Sequence, residues 1–553
     1  MQFNNQNQPE NWKRGLFFNK KTYADEPLLT FEEARNQLPS PIFESRPDYI
    51  ECYWRTWEIA YGNTHIPVPE SGFVSNFIDA AFNDKIFLWD TVFMTMFCNV
   101  AHPYIPGIRS LDNFYCKQLD DGEIAREYVT KTGVEFYKWV NIERKPLHSF
   151  FHNHYKHRGL AQINDLEFEV MYKPNLGRTV ENPPYLRLDN LNHPILCWAE
   201  LESFKHTGDL NRLKLVWEPL VRYYDALRYH LYNHYGLFVT DWASMDNSPR
   251  NQYLGSGVDI SCEMVLVARN LIEIANILIN DKKLKEGAIA ETDELVSQVV
   301  RLEQDAQTFT DSINNLMWDP ETGFYYDVTN EGKRSPVKTI AAYWTLLAGV
   351  ADETQAAKLA EWLNDPNTFF RKHRVPVCAA DEPGYDPRGG YWRGSVWAPT
   401  NTMVIRGLEK YGYYDLAREI ALNHLDNVVK VYKDTGTIWE NYPPDSIDSG
   451  NADKKDFVGW SGIASTLYLL EHAIGLKGDA VQDELIWRLQ PGMGTIGCNR
   501  YWFAGKTVNL VATEEANGMY RIKVLSDAPL KLKLQYANRE TLVEVNGQAE
   551  ILI

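Results

Sequence analysis

No stretch of eighteen apolar residues occurs in these 553 residues, so no segment reads as a membrane-spanning helix. Cysteine is scarce and unpatterned. The seven cysteines (Cys52, Cys98, Cys116, Cys197, Cys262, Cys378, Cys498) are odd in number and never spaced Cys-x-x-Cys. Neither a disulfide framework nor a zinc ribbon is indicated, and a reducing, cytoplasmic setting is expected, with most thiols acting as small buried hydrophobes. Positive charge is short as well: the formal net charge is -18 and the pI near 5.3. Such a surface repels phosphate backbones and anionic lipid, so neither nucleic acid nor a membrane is an expected partner. No phosphate loop or dinucleotide fingerprint follows a strand-like run, and no metal or other cofactor is expected. The opening residues, MQFNNQNQPENWKRG, have neither the basic n-region nor the apolar h-region of a secretory signal.

Aromatic residues, by contrast, are plentiful: 17 Trp, 31 Tyr and 24 Phe. Many of the tryptophans, including Trp54, Trp89, Trp242, Trp392, Trp397, Trp439 and Trp460, stand in polar neighbourhoods rather than apolar runs. Aromatic faces stack on the C–H faces of sugars, while nearby polar groups bind hydroxyls. A large helical protein also uses Trp as core filler, and composition alone favours that reading.

From about residue 85 to 475 the chain reads as helices separated by long Gly-, Pro- and Asp-rich loops. Apolar residues recur at helical spacing in 193–206, 209–232, 259–280 and 289–317. Further helices are expected near 336–349, 354–363, 396–411, 413–431 and 459–474, with Asp259 and Asp352 as start signals and a tight turn at Gly412. Few Val/Ile-rich runs lie between them, which argues against a parallel βαβ fold and for a toroid of helix pairs. From about 485 onward apolar and polar residues alternate, as in YWFAGKTVNLVATEE and MYRIKVLSD, and predict a small antiparallel β-domain. The expected organisation is therefore a wrapping segment over 1–84, a helical barrel over 85–480 and a β-domain over 485–553. Within the first segment, Phe31–Leu38 and Tyr53–Ile59 are candidate short helices.

Four segments are too polar and aromatic for ordinary connections. The first places Trp89 and Asp90 at a helix start. A carboxylate there complements the helix dipole in any case, but Trp beside Asp is also a sugar-binding pair. The second, Asp241 to Arg250, holds Asp241 and Asp246 within a good turn sequence, Asp246-Asn247-Ser248-Pro249. The third, Gly389-Gly390-Tyr391-Trp392-Arg393-Gly394-Ser395-Val396-Trp397, has glycines that let backbone approach a ligand, and an Arg393 able to bind hydroxyls or hold a carboxylate ionised. The fourth sets Glu440 between Trp439 and Asn441-Tyr442, ahead of two prolines, with Trp460 following. A run from Leu316 to Asp327 looks at first like a calcium loop, but lacks the Asp-x-Asp-x-Asp-Gly pattern and reads as a helix-to-hairpin turn.

In this order the four segments resemble the clan that contains trehalases and the processing α-glucosidases, and more closely the bacterial members of glycoside hydrolase family 63. Asn192-His193-Pro194-Ile195-Leu196-Cys197-Trp198 is also similar to that clan's Gln-Pro-Pro-x-Leu-Ala-Trp segment. The resemblance covers roughly 85–475. It implies an (α/α)6 barrel and hydrolysis with inversion, with Asp246 as general acid and Glu440 as general base. It further implies that Trp89, Asp90, Asn192, Asp241, Trp392, Arg393, Trp397, Trp439, Tyr442 and Trp460 line the sugar site. Two departures stand out. The trehalase Gln-Trp-Asp-x-Pro-x-Gly-Trp segment is absent, and many relatives carry an N-terminal β-domain where this chain has a C-terminal one. Trehalose is thereby the poorer guess, and an exo-acting, α-glucosidase-like activity on an α-linked oligosaccharide or small glycoside the better one.

Inversion needs one protonated carboxyl to deliver a proton to the leaving oxygen and one ionised carboxylate to activate water, about 6.5–9.5 Å apart. Like-charge pressure from Asp241 or Asp90 would help keep the acid protonated. Two rivals remain at this level. A polysaccharide lyase or epimerase on a similar toroid would need a Tyr or His base, and His148, His152, His154 and His157 supply histidines, though these read better as loop residues. A non-catalytic carbohydrate-binding protein would be indifferent to both carboxylates.

Overall fold

The computed structural model describes residues 13–81, 83–134, 193–239, 245, 247–250, 255–281, 289–329, 331–450, 454–537 and 539–553. Its principal helices are α1 (Pro47–Gly62), α2 (Leu88–Cys98), α3 (Leu196–Thr207), α4 (Leu210–Leu231), α5 (Val258–Asn280), α6 (Ile289–Leu316), α7 (Trp344–Ala348), α8 (Glu353–Leu363), α9 (Ala398–Lys410), α10 (Tyr414–Thr435) and α11 (Ala464–Ile474). The last is wound as a π-helix, a rare form of helix.

Local chemistry fixes the helix ends. Asp352 caps α8 by accepting from Gln355 N, while the Gln355 side chain returns to Asp352 N, so two orphan donors are satisfied reciprocally. Gly208, at φ 66°, ends α3 and lets Asp209 cap α4 one residue later. Gly412 at φ 79° makes the equivalent turn between α9 and α10; only glycine takes this left-handed conformation without a Cβ penalty. Asp259, expected as a start signal, lies inside the first turn of α5. Its carboxylate is drawn into an ion pair with Arg250, which outweighs a capping role. The run around Asp319 forms the expected hairpin, Trp318 facing Tyr325 and Asp319 facing Phe324.

The helices pack side by side in sequence order. α2 lies on α3, α3 on α5, α5 on α7 and α7 on α9, and α11 returns to α2. α9 and α11 are joined through Tyr468, whose hydroxyl meets Thr402 Oγ1 at 2.7 Å and the Ala398 carbonyl at 3.2 Å. Behind this layer α4 and α6 pack on α5, α10 on α9 and α11, and α1 on α11. α1 buries Tyr49, Cys52, Tyr53, Thr56, Trp57 and Ala60, the i, i+3, i+4, i+7 stripe of an amphipathic helix. Burying each large side chain of such a stripe is worth about 1.5–3 kcal/mol, which anchors the N-terminal segment to the helical layer.

Nine further strands form two sheets: β1 (Ser40–Phe43), β2 (Leu476–Asp479), β3 (Glu484–Arg488), β4 (Thr495–Phe503), β5 (Lys506–Glu514), β6 (Tyr520–Ser526), β7 (Leu530–Tyr536), β8 (Arg539–Val545) and β9 (Gln548–Leu552). One sheet runs β1-β4-β5-β6-β9, the other β2-β3-β7-β8. Two details correct the expectation of a purely C-terminal, antiparallel domain. The edge strand β1 comes from the N-terminal segment, with Pro41 opposite Cys498, and β3 pairs with β7 in parallel, Glu484 opposite Lys531. The parallel pair arises because β4, β5 and β6 leave for the other sheet before the chain returns as β7. The sheets dock on the end of α3, where Ala480 N donates to Lys205 O, Ala504 N to His206 O, and His206 Nε2 meets the Trp502 carbonyl at 2.7 Å.

Candidate active site

Glu440 lies at the centre of the site, in the loop between α10 and α11. It is 1% exposed, and its surroundings hold it by both backbone and side chain. Its N–H donates to Lys454 O at 2.9 Å. Its carbonyl accepts from Trp460 Nε1 at 2.9 Å and Ser461 Oγ at 3.1 Å. On the carboxylate, Oε1 accepts from the Tyr391 hydroxyl and Oε2 from Lys454 N, both at 3.1 Å. Both oxygens therefore accept, as an ionised carboxylate does.

The N-terminal ends of the inner helices converge on this loop. Asp90, in the first turn of α2, is 8% exposed. Burial pushes its carboxyl well above the usual carboxylate range, and repulsion from Glu440 adds to the shift. Trp89 packs on Phe93 and on His193, which precedes α3, with ring centroids 4.9 and 4.8 Å apart. His193 Nδ1 meets Glu263 Oε2 of α5 at 2.6 Å. Burial opposes the charge of this imidazole, but Glu263 outweighs it and raises the His193 pKa.

The expected tryptophans form one wall. Trp392 and Trp397 stack face to face at 4.3 Å and 7°, and Trp397 leans on Trp460 at 5.5 Å. Trp397 is wholly buried and Trp392 and Trp460 are each 6% exposed. Tyr442 is buried behind the loop, its ring 5.6 Å from His373 and its hydroxyl accepting from Trp439 N at 3.1 Å, so it closes the turn around Glu440. Trp439 is half-buried and donates from Nε1 to Thr435 Oγ1. Arg393 is exposed, and its Nε donates to the Gly384 carbonyl; among the described residues no carboxylate pairs with it. Asp246, Asp241, Asn192 and the histidines at 148, 152, 154 and 157 lie outside the described residues.

The segment around Asp246 is nevertheless bracketed. Arg250 is buried and grips two carboxylates at once, Asp259 at 2.6 and 2.9 Å and Asp327 at 2.6 and 2.9 Å, with Met245 Sδ 3.4 Å from its Nη1. Fork-to-carboxylate pairs of this kind are geometrically rigid. Asn247 holds the third segment instead: its Nδ2 donates to Gly390 O at 3.0 Å and its Oδ1 accepts from Trp392 N at 2.9 Å. Asn247 and Tyr391 stand inside the second and third motifs, but nothing in their residue type or local spacing points to the bonds they make here. The Asp327 that ends the hairpin segment and Glu263, inside a helical pattern, carried no sequence signal of their own.

The chain is similar to known glycosidases over this region. Residues 188–461 match the mannosylglycerate hydrolase MGH1-like glycoside hydrolase domain. A Borreliella burgdorferi protein of unassigned function is 26% identical over 383 residues, 66% of this chain and 76% of its own. The mannosylglycerate hydrolase of Thermus thermophilus is 34% identical over 113 residues, 20% of this chain and 26% of that enzyme, so the match spans about a quarter of it. The family 63 mannosylglycerate hydrolase structure from Thermus thermophilus, solved with glucose, superposes with a TM-score of 0.51 at 17% identity, over 75% of this chain and 99% of that one. The matched domain and the motifs agree: the chain is a glycoside hydrolase that over residues 188–461 resembles the mannosylglycerate hydrolases of family 63, and its fold is similar to theirs.

Proposed function

We propose that the chain is an inverting glycosidase that removes a terminal α-linked sugar, with Asp246 as general acid and Glu440 as general base. The observation that carries this reading is the setting of Glu440: a buried carboxylate whose two oxygens both accept hydrogen bonds, fixed at its backbone by Trp460 and Ser461. A base that must orient one water needs such rigidity, because misplacement of a reacting group is costly in rate. Asp246 would protonate the departing oxygen from the opposite side, and inversion follows because water enters on the face the leaving group does not occupy. Asp90, pushed toward its protonated form by burial and by Glu440, is suited to donate a hydrogen bond to a sugar hydroxyl, and Trp89, Trp392, Trp439 and Trp460 are its apolar complement. Asn192, Asp241 and Arg393 complete the proposed sugar site, with Trp397 and Tyr442 supporting it from behind.

The architecture that fits is an (α/α)6 toroid over 85–480, with α2, α3, α5, α7, α9 and α11 inside. Residues 13–81 lie against it and lend strand β1 to a β-domain that otherwise runs from β2 at Leu476 to the end of β9. For substrate, the names of the matched relatives make mannosylglycerate the first compound to test beside α-glucosides, and a compact polar aglycone the class.

An NMR time course of the enzyme with mannosylglycerate, α-glucosides, other α-glycosides and uronate-containing oligosaccharides tests the reading. Initial appearance of the β-anomer from an α-linked substrate, abolished in Glu440→Gln, is the expected outcome. First release of the α-anomer would make the enzyme retaining, and an unsaturated uronate would make it a lyase. Binding without turnover of any compound would favour a carbohydrate-binding protein.

A further inference from the structure

Two carboxylates on different loops must keep a fixed separation for inversion, and one described residue is tied to both loops. Asn247 follows Asp246 in the chain and spans Tyr391 with its carboxamide, donating to Gly390 O at 3.0 Å and accepting from Trp392 N at 2.9 Å. The amide has one workable orientation there, because a flip would set oxygen against oxygen and N–H against N–H. Tyr391, held between these two bonds, donates from its hydroxyl to Glu440 Oε1 at 3.1 Å.

The spanned backbone would not rest in this shape unaided. Gly389, Gly390 and Tyr391 have φ of 102°, 54° and 64° in succession. Glycine tolerates that region, but a bulky residue there is strained by about 1–3 kcal/mol and persists only where its surroundings hold it. Asn247 supplies part of that hold. The Tyr391 ring, 4.9 Å from Trp397 and edge-on to it, and the Tyr391 carbonyl, which accepts from Ser395 N at 3.1 Å, add to it. Asn247 itself is exposed, so its two bonds are not there to satisfy a buried amide.

We propose that Asn247 is a positioning residue that sets the geometry of Glu440 through Tyr391, so that the loop carrying the acid and the loop carrying the base move as one unit. The inference rests on the assignment of Glu440 as base. Catalysis then depends on the Asn247–Tyr391–Glu440 chain as a chain: breaking either link releases the same hydroxyl from the same carboxylate oxygen.

A double-mutant cycle of Asn247→Ala and Tyr391→Phe, assayed with mannosylglycerate or the α-glycoside hydrolysed fastest, reads this directly. Tyr391→Phe keeps the ring packing and removes only the hydroxyl. Each single variant is expected to lose about 10–100-fold in kcat, the worth of a hydrogen bond to a charged group, with KM within about threefold. The double variant should be no worse than the worse single one, because residues in one chain are non-additive. The acidic limb of the kcat/KM profile should move to higher pH in both variants, since each removes a donor from the ionised form of the base. Multiplying losses, or an acidic limb that moves in Tyr391→Phe but not in Asn247→Ala, would overturn the proposal.

A readout without turnover keeps the two readings apart. In protein labelled with 13C at the glutamate carboxyls, the Glu440 signal is the one missing from Glu440→Gln. Its titration midpoint should rise in both Tyr391→Phe and Asn247→Ala. If Glu440→Gln stays active while the midpoint rises in both variants, the base assignment fails and the positioning chain stands. If Glu440→Gln is inactive and Asn247→Ala leaves the midpoint unmoved, the chain fails and the base stands.

Discussion

At the C-terminal ends of the inner helices, three carboxylates surround one guanidinium. Arg406 lies 3.2 Å from Glu202, 3.1 Å from Glu409 and 2.7 Å from Glu471, and Lys477 of β2 joins Glu409 at 2.7 Å. These groups border a cavity of about 510 Å3 between the helices and the strands β2 and β3. Burial acts to raise both Glu409 and Glu471, but the cations beside them prevail and hold both below the usual carboxylate range. At the N-terminal ends, Asp90 has no described cation in an ion pair, and burial beside Glu440 drives its carboxyl upward. Both ends bury charge. What separates Asp90 from Glu409 and Glu471 is that it has been given no such cation among the described residues. Matched pairs make a structural joint between helices and sheets, whereas an acid left to burial and to another carboxylate is driven toward its protonated form.

The comparison breaks most sharply at Glu440. Glu440→Gln preserves the shape and the backbone contacts but removes the proposed base, so turnover should fall by about 10²–10⁴-fold. Circular dichroism and the melting temperature should stay close to wild type. Asp246→Asn should do the same for substrates with poor leaving groups. Product formation in either variant at the wild-type rate would remove that residue from the mechanism.

Arg406→Met is the complementary experiment at the opposite end. It leaves Glu202, Glu409 and Glu471 with one cation fewer, and breaking a buried ion pair on one side typically costs about 3–5 kcal/mol. Urea melts should show that loss, while kcat per folded molecule stays unchanged. The pH dependence has a definite sign. Glu409 and Glu471 are depressed in the folded state, so their stabilisation is complete above the ordinary glutamate value and is lost as pH falls through the folded one. The wild type should therefore weaken with acidification more steeply than the variant. A normal urea midpoint together with reduced kcat would reverse the roles assigned to the two ends.

Much of this organisation was legible in the chain, for physical reasons that differ by region. The amphipathic periods of α3 to α6 and the alternation of β4 to β9 each repeat often enough to reveal one buried face. α1 was missed as a full helix because its stripe is made of Tyr, Cys, Thr and Trp, residues an apolar count weighs poorly, although their spacing is helical. β1 was missed because a four-residue strand carries too little alternation, and its partner lies more than 450 residues away. In the site, Glu440 was visible through its unusual neighbours. Tyr391 and Asn247 were quoted but silent, since their meaning lies in a hydrogen-bond chain across three loops. Arg250 was legible as a charge and Asp259 as a helix-start signal, but the pairing of Arg250 with Asp259 and Asp327 was not, because pairing over 9 and 77 residues leaves no local pattern.

Asp90→Asn sharpens the same contrast with the smallest expected change in stability. Because the native carboxyl is held well above its ordinary value, below that ordinary value both folded and unfolded chains are protonated and Asp90 contributes no slope. Between the ordinary and the native value the unfolded chain releases its proton while the native one keeps it, so stability falls as pH rises through the interval. Above the native value the contribution is constant. Asparagine keeps the shape and cannot ionise, so the variant should lack this decline and gain melting temperature over wild type as pH rises through the window. That sign is opposite to the one expected from Glu409 and Glu471, which gives a test within one protein. Melting curves from acid to neutral pH measure it. A variant that instead loses stability steadily as pH rises would mean that Asp90 is ionised and paired in the native state, and that the two ends treat their acids alike.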